Sequence, residues 1–348
     1  MRILKIVMLS ILSVIGLIIL VSMFMGYILS VPVYHGENSD HFNGKEFVNP
    51  GDVRQHGFGD LIKWIMNRQQ GPWNSIEEFD HGKVKLNSDS SARIYYVNHS
   101  TFLLQLGNFN ILTDPVWSDR VSPFKWIGPQ RKRPPGIKLD ELPEIHLVLL
   151  SHNHYDHLDI STLRRINDEY HPLMIAPLGV PAYLAENGIG QLREMDWWEE
   201  SGINENLTIA CVPAQHFSGR GMFDRNKTLW GGYVIISEFG NIFFAGDTGY
   251  GDFFKDISEK YAPIHLAMLP IGAYIPGWFM SPIHISPDEA VKIHREMKAE
   301  KSVAMHFGTF PLGDDGMWQP VNDLEIARQD KQVENFYVLS PGEYLTLE

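Results

Sequence analysis

Residues 152–157 read His-Asn-His-Tyr-Asp-His, directly behind the apolar run His146-Leu147-Val148-Leu149-Leu150. Three imidazoles and a carboxylate within six positions cannot all be buried without strong partners. Neutral imidazole together with carboxylate is a donor set suited to zinc and its neighbours. The apolar run has the length and composition of a buried strand. The cluster therefore follows a strand's carboxyl end, where open α/β sheets hold their ligands. A fold that serves this stretch needs a sheet with an accessible rim and further donors at other strand ends.

Three other stretches repeat that arrangement. Ala210 to Pro213 leads into Ala214-Gln215-His216, Ile242 to Ala245 into Gly246-Asp247-Thr248-Gly249, and Val303 to Met305 into His306-Phe307-Gly308-Thr309. Each is a strand-like run, then one metal-binding side chain, then a turn. Strand ends on one rim would bring these side chains to one cavity.

The surrounding pattern is of mixed type. Arg93–Val97, Thr101–Leu106 and Asn110–Thr113 are β-rich runs divided by turn residues. Residues 159–169 and 180–187 have helical character. Leu207–Pro213, Gly232–Ser237, Asn241–Ala245, Leu266–Pro270 and Ser302–Met305 read as further strands. Ser286-Pro287-Asp288-Glu289 opens a helix expected to reach about Glu300, with a serine cap, proline at the first position and glutamate three after the cap. The expectation is one α/β domain over 92–348, with two sheets covered by helices.

Residues 1–30 form a membrane anchor on this reading. No charged side chain occurs from Ile6 to Leu29, and Arg2 and Lys5 precede the run. At about 1.5 Å per residue it can cross a bilayer core of roughly 30 Å. It is too long for a signal-peptide core, and Ser30-Val31-Pro32 is a poor cleavage site. Basic residues before the run and Glu37, Asp40 and Glu46 after it put the amino terminus in the cytoplasm and the rest of the chain on the non-cytoplasmic side. Residues 31–91 read as a linker and lead-in segment. Within it, Phe58 to Met66 forms a short amphipathic helix, with Leu61, Ile62, Ile65 and Met66 on one face beside Phe58 and Trp64. That face suits either the membrane interface or the catalytic domain.

A net charge of −13 disfavours nucleic acid as a partner. The single cysteine, Cys211, lies in an apolar run and reads as a buried small residue. His35, His41, His81, His171 and His265 read as structural histidines. A homo-oligomer is compatible with the sequence, which does not set the oligomeric state.

The ordered set His152, His154, Asp156, His157, His216, Asp247 and His306 resembles the metallo-β-lactamase superfamily, whose motif is His-x-His-x-Asp-His followed by His, Asp and His. The resemblance implies a four-layer αββα sandwich with two divalent metal ions at its edge. Zinc is the default, and zinc with iron or manganese would fit the same donors. It further implies that His152, His154 and His216 hold one ion, Asp156, His157 and His306 the other, and that Asp247 bridges them around a shared hydroxide.

Longer strings are similar to the N-acyl-phosphatidylethanolamine-hydrolysing phospholipase D family over roughly residues 55–345. They are Leu112–Pro115, Ile127–Arg133, Ser151–Asp159, Asp196–Glu200, Ala245–Tyr250, Pro270–Tyr274 and His306–Phe310. The chain departs from the animal members in its N-terminal span. The resemblance implies a metal-dependent phosphodiesterase that converts the phospholipid to phosphatidic acid and N-acylethanolamine through a metal-bridging hydroxide. Asp156, Asp247 and His284 are the expected catalytic residues, His284 lying close to the substrate phosphate as hydrogen-bond partner or proton donor. Asp114 and His99 are expected to orient metal ligands. Tyr274, Trp278 and Phe279, in an aromatic stretch over 270–283, are the expected substrate contacts, as a pocket wall or a membrane-facing lip. Arg131, Lys132 and Arg133 either meet anionic head groups or form a solvated turn. A lactonase or soluble phosphodiesterase of the same fold is the alternative. A non-enzymatic metal-binding protein is disfavoured, because no expected ligand is missing.

Overall fold

The computed structural model describes residues 2–51, 53, 56–76, 84 and 91–347. His81 lies outside them. Two helices precede the sheets: α1 (Arg2–Leu29) and α2 (Phe58–Met66). The first half then lays down β1 (Ala92–Asn98), β2 (Thr101–Leu106) and β3 (Phe109–Thr113) as an antiparallel meander. Parallel strands β4 (Leu147–Leu149), β5 (Leu173–Pro177) and β6 (Leu192–Met195) follow, crossing over through α3 (Ile160–Tyr170) and α4 (Val180–Glu186). The second half repeats the plan. β7 (Glu200–Asn204), β8 (Leu207–Val212), β9 (Gly232–Ser237) and β10 (Gly240–Phe244) are antiparallel. After α5 (Phe253–Tyr261) come β11 (Ile264–Pro270), α6 (Gly277–Met280), α7 (Pro287–Glu296), β12 (Lys301–Met305), α8 (Gln319–Lys331) and β13 (Phe336–Tyr337), with the strands parallel. The last strand, β14 (Tyr344–Leu347), returns to pair with β1. With β14 added to the six strands of the first half, each sheet has seven strands.

Side-chain alternation explains the layering. Along β1, Ile94 and Tyr96 enter the core between the sheets, while Tyr95 and Val97 enter a second core under α3 and α4. Phe102 and Leu104 against Leu103, and Leu147 and Leu149 against Val148, divide in the same way. Both faces of the first sheet are covered, so its strands read as continuous apolar runs. Ile209, Cys211, Tyr233 and Ile235 complete the inner core from the second sheet. The αββα sandwich follows, and Cys211 is buried as expected.

Local signals set the helix ends. Asp159 caps α3 by accepting from the Ser161 and Thr162 amides. The Ser286–Glu289 capping box starts α7 where the sequence places it. That helix stops at Glu296 and not near Glu300. Lys298 takes a left-handed φ of 53°, and the Ala299 amide turns back to the His294 carbonyl.

The described part of 31–91 is mostly not a spacer. Phe42 and Phe47 belong to the inter-sheet core. His41 bonds Asp196 at 2.7 Å and stacks on Trp197. Further on, Arg68 pairs with Asp314 at 3.0 Å, and the Trp73 indole N–H donates to the Asp315 carbonyl. Along α1 the side chains are exposed, apart from a few half-buried positions and the buried Gly26. A buried core helix is thereby excluded, and α1, at 28 residues, is long and apolar enough to cross a membrane.

Candidate metal centre

The first sheet sends its loops to the rim after β1 (His99), β3 (Asp114) and β4 (Ser151 to His157). The second sends them after β8 (His216), β10 (Asp247), β11 (His284) and β12 (His306). Close approach of the two sheets at this rim depends on small residues. A Cβ on Gly246 would stand 2.8 Å from Ser151 Cβ across the two sheets, and within the second sheet one on Gly272 would stand 2.0 Å from the His306 carbonyl oxygen. His99, Asp114 and His306 all adopt positive φ, a strained backbone common where side chains are aimed for function.

All seven expected ligands meet here. His154 Nδ1 lies 2.9 Å from His152 Nε2 and 3.2 Å from His216 Nε2. Asp156 Oδ2 is 3.4 Å from His157 Nε2 and 3.3 Å from His306 Nε2. Asp247 Oδ2 stands among them, 3.2 Å from His157 Nε2, 3.1 Å from His306 Nε2 and 3.8 Å from His216 Nε2.

The outer hydrogen bonds set which ring nitrogens carry protons. Asp114 is fully buried and accepts from His157 Nδ1 at 2.6 Å, from the Ser151 hydroxyl at 2.6 Å and from the Ser151 amide at 2.7 Å. Having given its proton to Asp114, Ser151 Oγ must accept from His152 Nδ1, 2.9 Å away. His216 Nδ1 donates to the Ile283 carbonyl at 2.9 Å. Hence His152, His157 and His216 each turn a Nε2 lone pair inward, toward other lone pairs and carboxylates. Such an arrangement is repulsive unless cations lie between the donors. The residues therefore fit divalent metal.

Titration shifts agree. Burial holds His152 and His216 well below the ordinary histidine value, and His154 down to about 4, so these rings are neutral, the form in which imidazole can bind metal. Burial also opposes charge on His157 and His306, but Asp247 and Asp156 outweigh it. His157 is raised, and His306 is lifted to about 9. Without metal, protons on those two rings offset the carboxylates.

His99 touches Asp156 Oδ2 at 3.0 Å, and its carbonyl accepts the His306 amide at 2.9 Å. It is in position to hold both. His284 Nδ1 is buried, lies 3.8 Å from Asp247 Oδ2 and has no partner among the described residues. Burial holds its pKa down at about 4 despite Asp247 nearby.

The centre opens into a cavity of about 800 Å³, in which His154, Asp156, His216, Asp247 and His284 share the lining with Phe58, Leu61, Trp64, Phe279 and Met280. Phe279 is thus where a substrate contact was expected, stacked on Trp64 with centroids 5.1 Å apart. Two other expected contacts are not among the cavity residues. Tyr274 gives its hydroxyl to Asp323 on α8, and Trp278 is 44% exposed with the Lys63 ammonium over its ring. The aromatic stretch is mainly a wall, with Phe279 and Met280 buried. One edge of α2, Leu61 and Trp64, faces this cavity, while Ile65 and Met66 are exposed.

The Arg131 and Arg133 guanidinium groups are engaged within the protein. Arg131 donates to Asn98 Oδ1 and the Val116 and Ser118 carbonyls, and Arg133 is buried beside the Tyr96 and Phe307 rings. The sequence reading missed Ser151, which relays Asp114 to His152, and Asn49. The Asn49 side chain closes two hydrogen bonds of 2.8 Å with the His216 backbone. Nothing in local periodicity marks either.

Fold and site together define a metal-dependent hydrolase. Residues 109–307 match the β-lactamase superfamily domain, and the chain belongs to the metallo-β-lactamase superfamily. It is 39% identical over 270 residues to "N-acyl-phosphatidylethanolamine-hydrolyzing phospholipase D 1" of Caenorhabditis elegans, covering 74% of this chain and 76% of that protein. It is 36% identical over 255 residues to the Saccharomyces cerevisiae "N-acyl-phosphatidylethanolamine-hydrolyzing phospholipase D, mitochondrial", covering 71% of this chain and 54% of that protein. Among solved structures, the Igni18 metallo hydrolase of Ignicoccus hospitalis shares the fold. Its TM-score is 0.58 at 23% identity, over 74% of this chain and 99% of that one.

Proposed function

We propose that this protein hydrolyses N-acyl-phosphatidylethanolamine-type phospholipids to phosphatidic acid and N-acylethanolamine, as a dinuclear phosphodiesterase held in a membrane by α1. The observation that carries the reading is the joining of a polar metal-type centre to an apolar-walled cavity of about 800 Å³. A charged phosphodiester with long acyl chains needs both. The names of the curated relatives favour this substrate over other esters.

His152, His154 and His216 would hold one ion, Asp156, His157 and His306 the second, with Asp247 between them. Divalent ions bound there supply Lewis acidity toward the phosphoryl oxygens and make water a stronger nucleophile near neutral pH. The chain's own residues do the positioning. Asp114 fixes the His157 ring directly and the His152 ring through Ser151. Asp247 and His284 line the cavity, and their buried Oδ1 and Nδ1 atoms have no hydrogen-bond partner among the described residues. They are placed to hydrogen-bond the attacking water and a phosphoryl oxygen. His284 is neutral at pH 7, which favours hydrogen bonding over delivery of a proton. Attack at phosphorus breaks the bond to the ethanolamide oxygen, which leaves with the electron pair and takes a proton from solvent or a neighbouring acid. Phe279, Trp64 and Leu61 keep the approach apolar. The basic residues at the start of α1 and the acidic ones after it support an amino terminus in the cytoplasm and a catalytic domain on the other side.

The test assays the purified full chain on N-acyl-phosphatidylethanolamine, phosphatidylcholine, a lactone and a cyclic nucleotide, with and without chelator. Chelator-sensitive release of N-acylethanolamine supports the proposal. Turnover of the lactone or the cyclic nucleotide alone replaces it with the corresponding hydrolase.

A further inference from the structure

The foot of α1 is built into the catalytic domain. The Met222 amide donates to the Gly26 carbonyl at 3.3 Å, Ser30 Oγ accepts from the Phe223 amide at 3.2 Å, and the Val31 amide donates to Asp224 Oδ2 at 2.9 Å. Gly26 lies so close that a Cβ there would stand 2.6 Å from Met222 Cβ. Asp224 also accepts from the Arg220 and Gly221 amides, at 3.0 and 2.9 Å. The last turn of the helix thus sits on the 219–226 loop, which also lines the catalytic cavity.

Beside this joint is a second cleft of about 580 Å³, with Leu29 of α1 on its lining. It holds Arg120, Lys125, Arg164 and Arg220 against two carboxylates, Asp119 and Asp159. Asp159 is committed elsewhere, since it accepts from the Trp117, Ser118, Ser161 and Thr162 amides. Arg120 bonds only neutral oxygens, Gly128 O and Gln130 Oε1, among the described residues. Arg220 is stacked 3.8 Å over Tyr155 and keeps a buried Nε without a described partner. In a chain of net charge −13 this is a local cationic excess. Around the joint and next to Lys125, large apolar side chains stand in solvent: Trp126 at 73% exposure, Ile127 at 51%, Met222 at 58% and Phe223 at 47%. Cations with exposed aromatic and aliphatic groups at the end of a membrane-length helix are the pattern of a headgroup-level contact.

We propose that this cleft seats the headgroup of an anionic phospholipid from the leaflet that α1 leaves. The proposal rests on the membrane reading of α1 but not on the identity of the substrate. The bound phosphate sits among Arg120, Lys125, Arg164 and Arg220, and its acyl chains run along Leu29 and the neighbouring apolar groups. Tyr155 and Arg220 line both this cleft and the catalytic cavity, so the lipid touches the wall of the active site without entering it.

The test uses the detergent-solubilised full chain titrated with short-chain phosphatidylglycerol, short-chain phosphatidylcholine and inorganic phosphate, with binding read from the melting temperature. Phosphatidylglycerol should raise the melting temperature, and the other two should not. Lys125→Glu and Arg120→Gln, both surface changes, should each weaken the apparent affinity about fivefold or more. His306→Ala and chelator-treated protein should keep the response, which separates this seat from the catalytic one. An equal response to phosphatidylcholine or inorganic phosphate overturns the proposal. So does binding that survives the cleft substitutions or disappears with the metal centre.

Discussion

His157 Nδ1 donates to Asp114 Oδ2 across 2.6 Å, with both side chains fully buried. The same carboxylate takes the Ser151 hydroxyl and so reaches His152 as well. One residue outside the expected ligand set therefore fixes the tautomers of two rings within it. Asp114→Asn loses the charge that makes His157 a strong donor ligand. Metal affinity should fall about 10- to 100-fold, measured by competition with a fluorescent chelator. An unchanged affinity would show that the contact is only structural.

Asp247 Oδ2 lies within 3.2 Å of both His157 Nε2 and His306 Nε2, and its charge faces His216 as well. Asp247→Ala should lower bound metal and reduce hydrolysis by more than about 100-fold, the upper range for outer-sphere partners. Elemental analysis beside kcat/KM checks both. Full metal content with full activity would remove Asp247 from the centre.

The His41–Asp196 contact ties the chain after α1 to the domain. Burial lowers the His41 pKa, but hydrogen bonds with Asp196 and Asp40 outweigh it, so the native value is raised. A raised native pKa stabilises the fold fully below the unfolded value of about 6.5, and that contribution is lost as pH rises through the native value. The difference in unfolding free energy between wild type and His41→Gln, at most about 1 kcal/mol from charge, should shrink with rising pH. Denaturant titrations from about pH 6 to about pH 9 would show it. A difference that grows with pH contradicts the pairing.

Phe279 packs against Trp64 and His56 with ring centroids 5.1 and 4.9 Å away. Phe279→Ala should raise KM for a long-chain substrate roughly tenfold while leaving kcat and a short-chain substrate nearly unchanged. An equal loss on both chain lengths would mean that the ring serves the chemistry or the fold.

Much of this was legible in the residues because the strong signals are local. The apolar runs before His152, His216, Asp247 and His306 mark strands, and the ligand behind each marks the rim. Elements with weak local signals were not read. β7, Glu200–Asn204, is a largely polar strand whose burial alternates between exposed and intermediate, and α8 buries only Pro320, Leu324 and Ala327. Phe42 and Phe47 sit in a polar, aperiodic stretch, so their place in the core depends on long-range packing. Tyr274 and Trp278 show the limit for substrate contacts. An aromatic run announces a wall, but the loop's path decides which rings face the cavity. Arg131 and Arg133 show the same for charge, since their inward course follows from carbonyls and rings distant in sequence.

The proposed function turns on attack of water at phosphorus in a membrane phospholipid. Hydrolysis of N-acyl-phosphatidylethanolamine by the metal-loaded full chain in oxygen-18 water tests it directly. The label is expected in phosphatidic acid and not in N-acylethanolamine, with chelator abolishing both products. Label in the N-acylethanolamine, or release that persists in chelator, would contradict it.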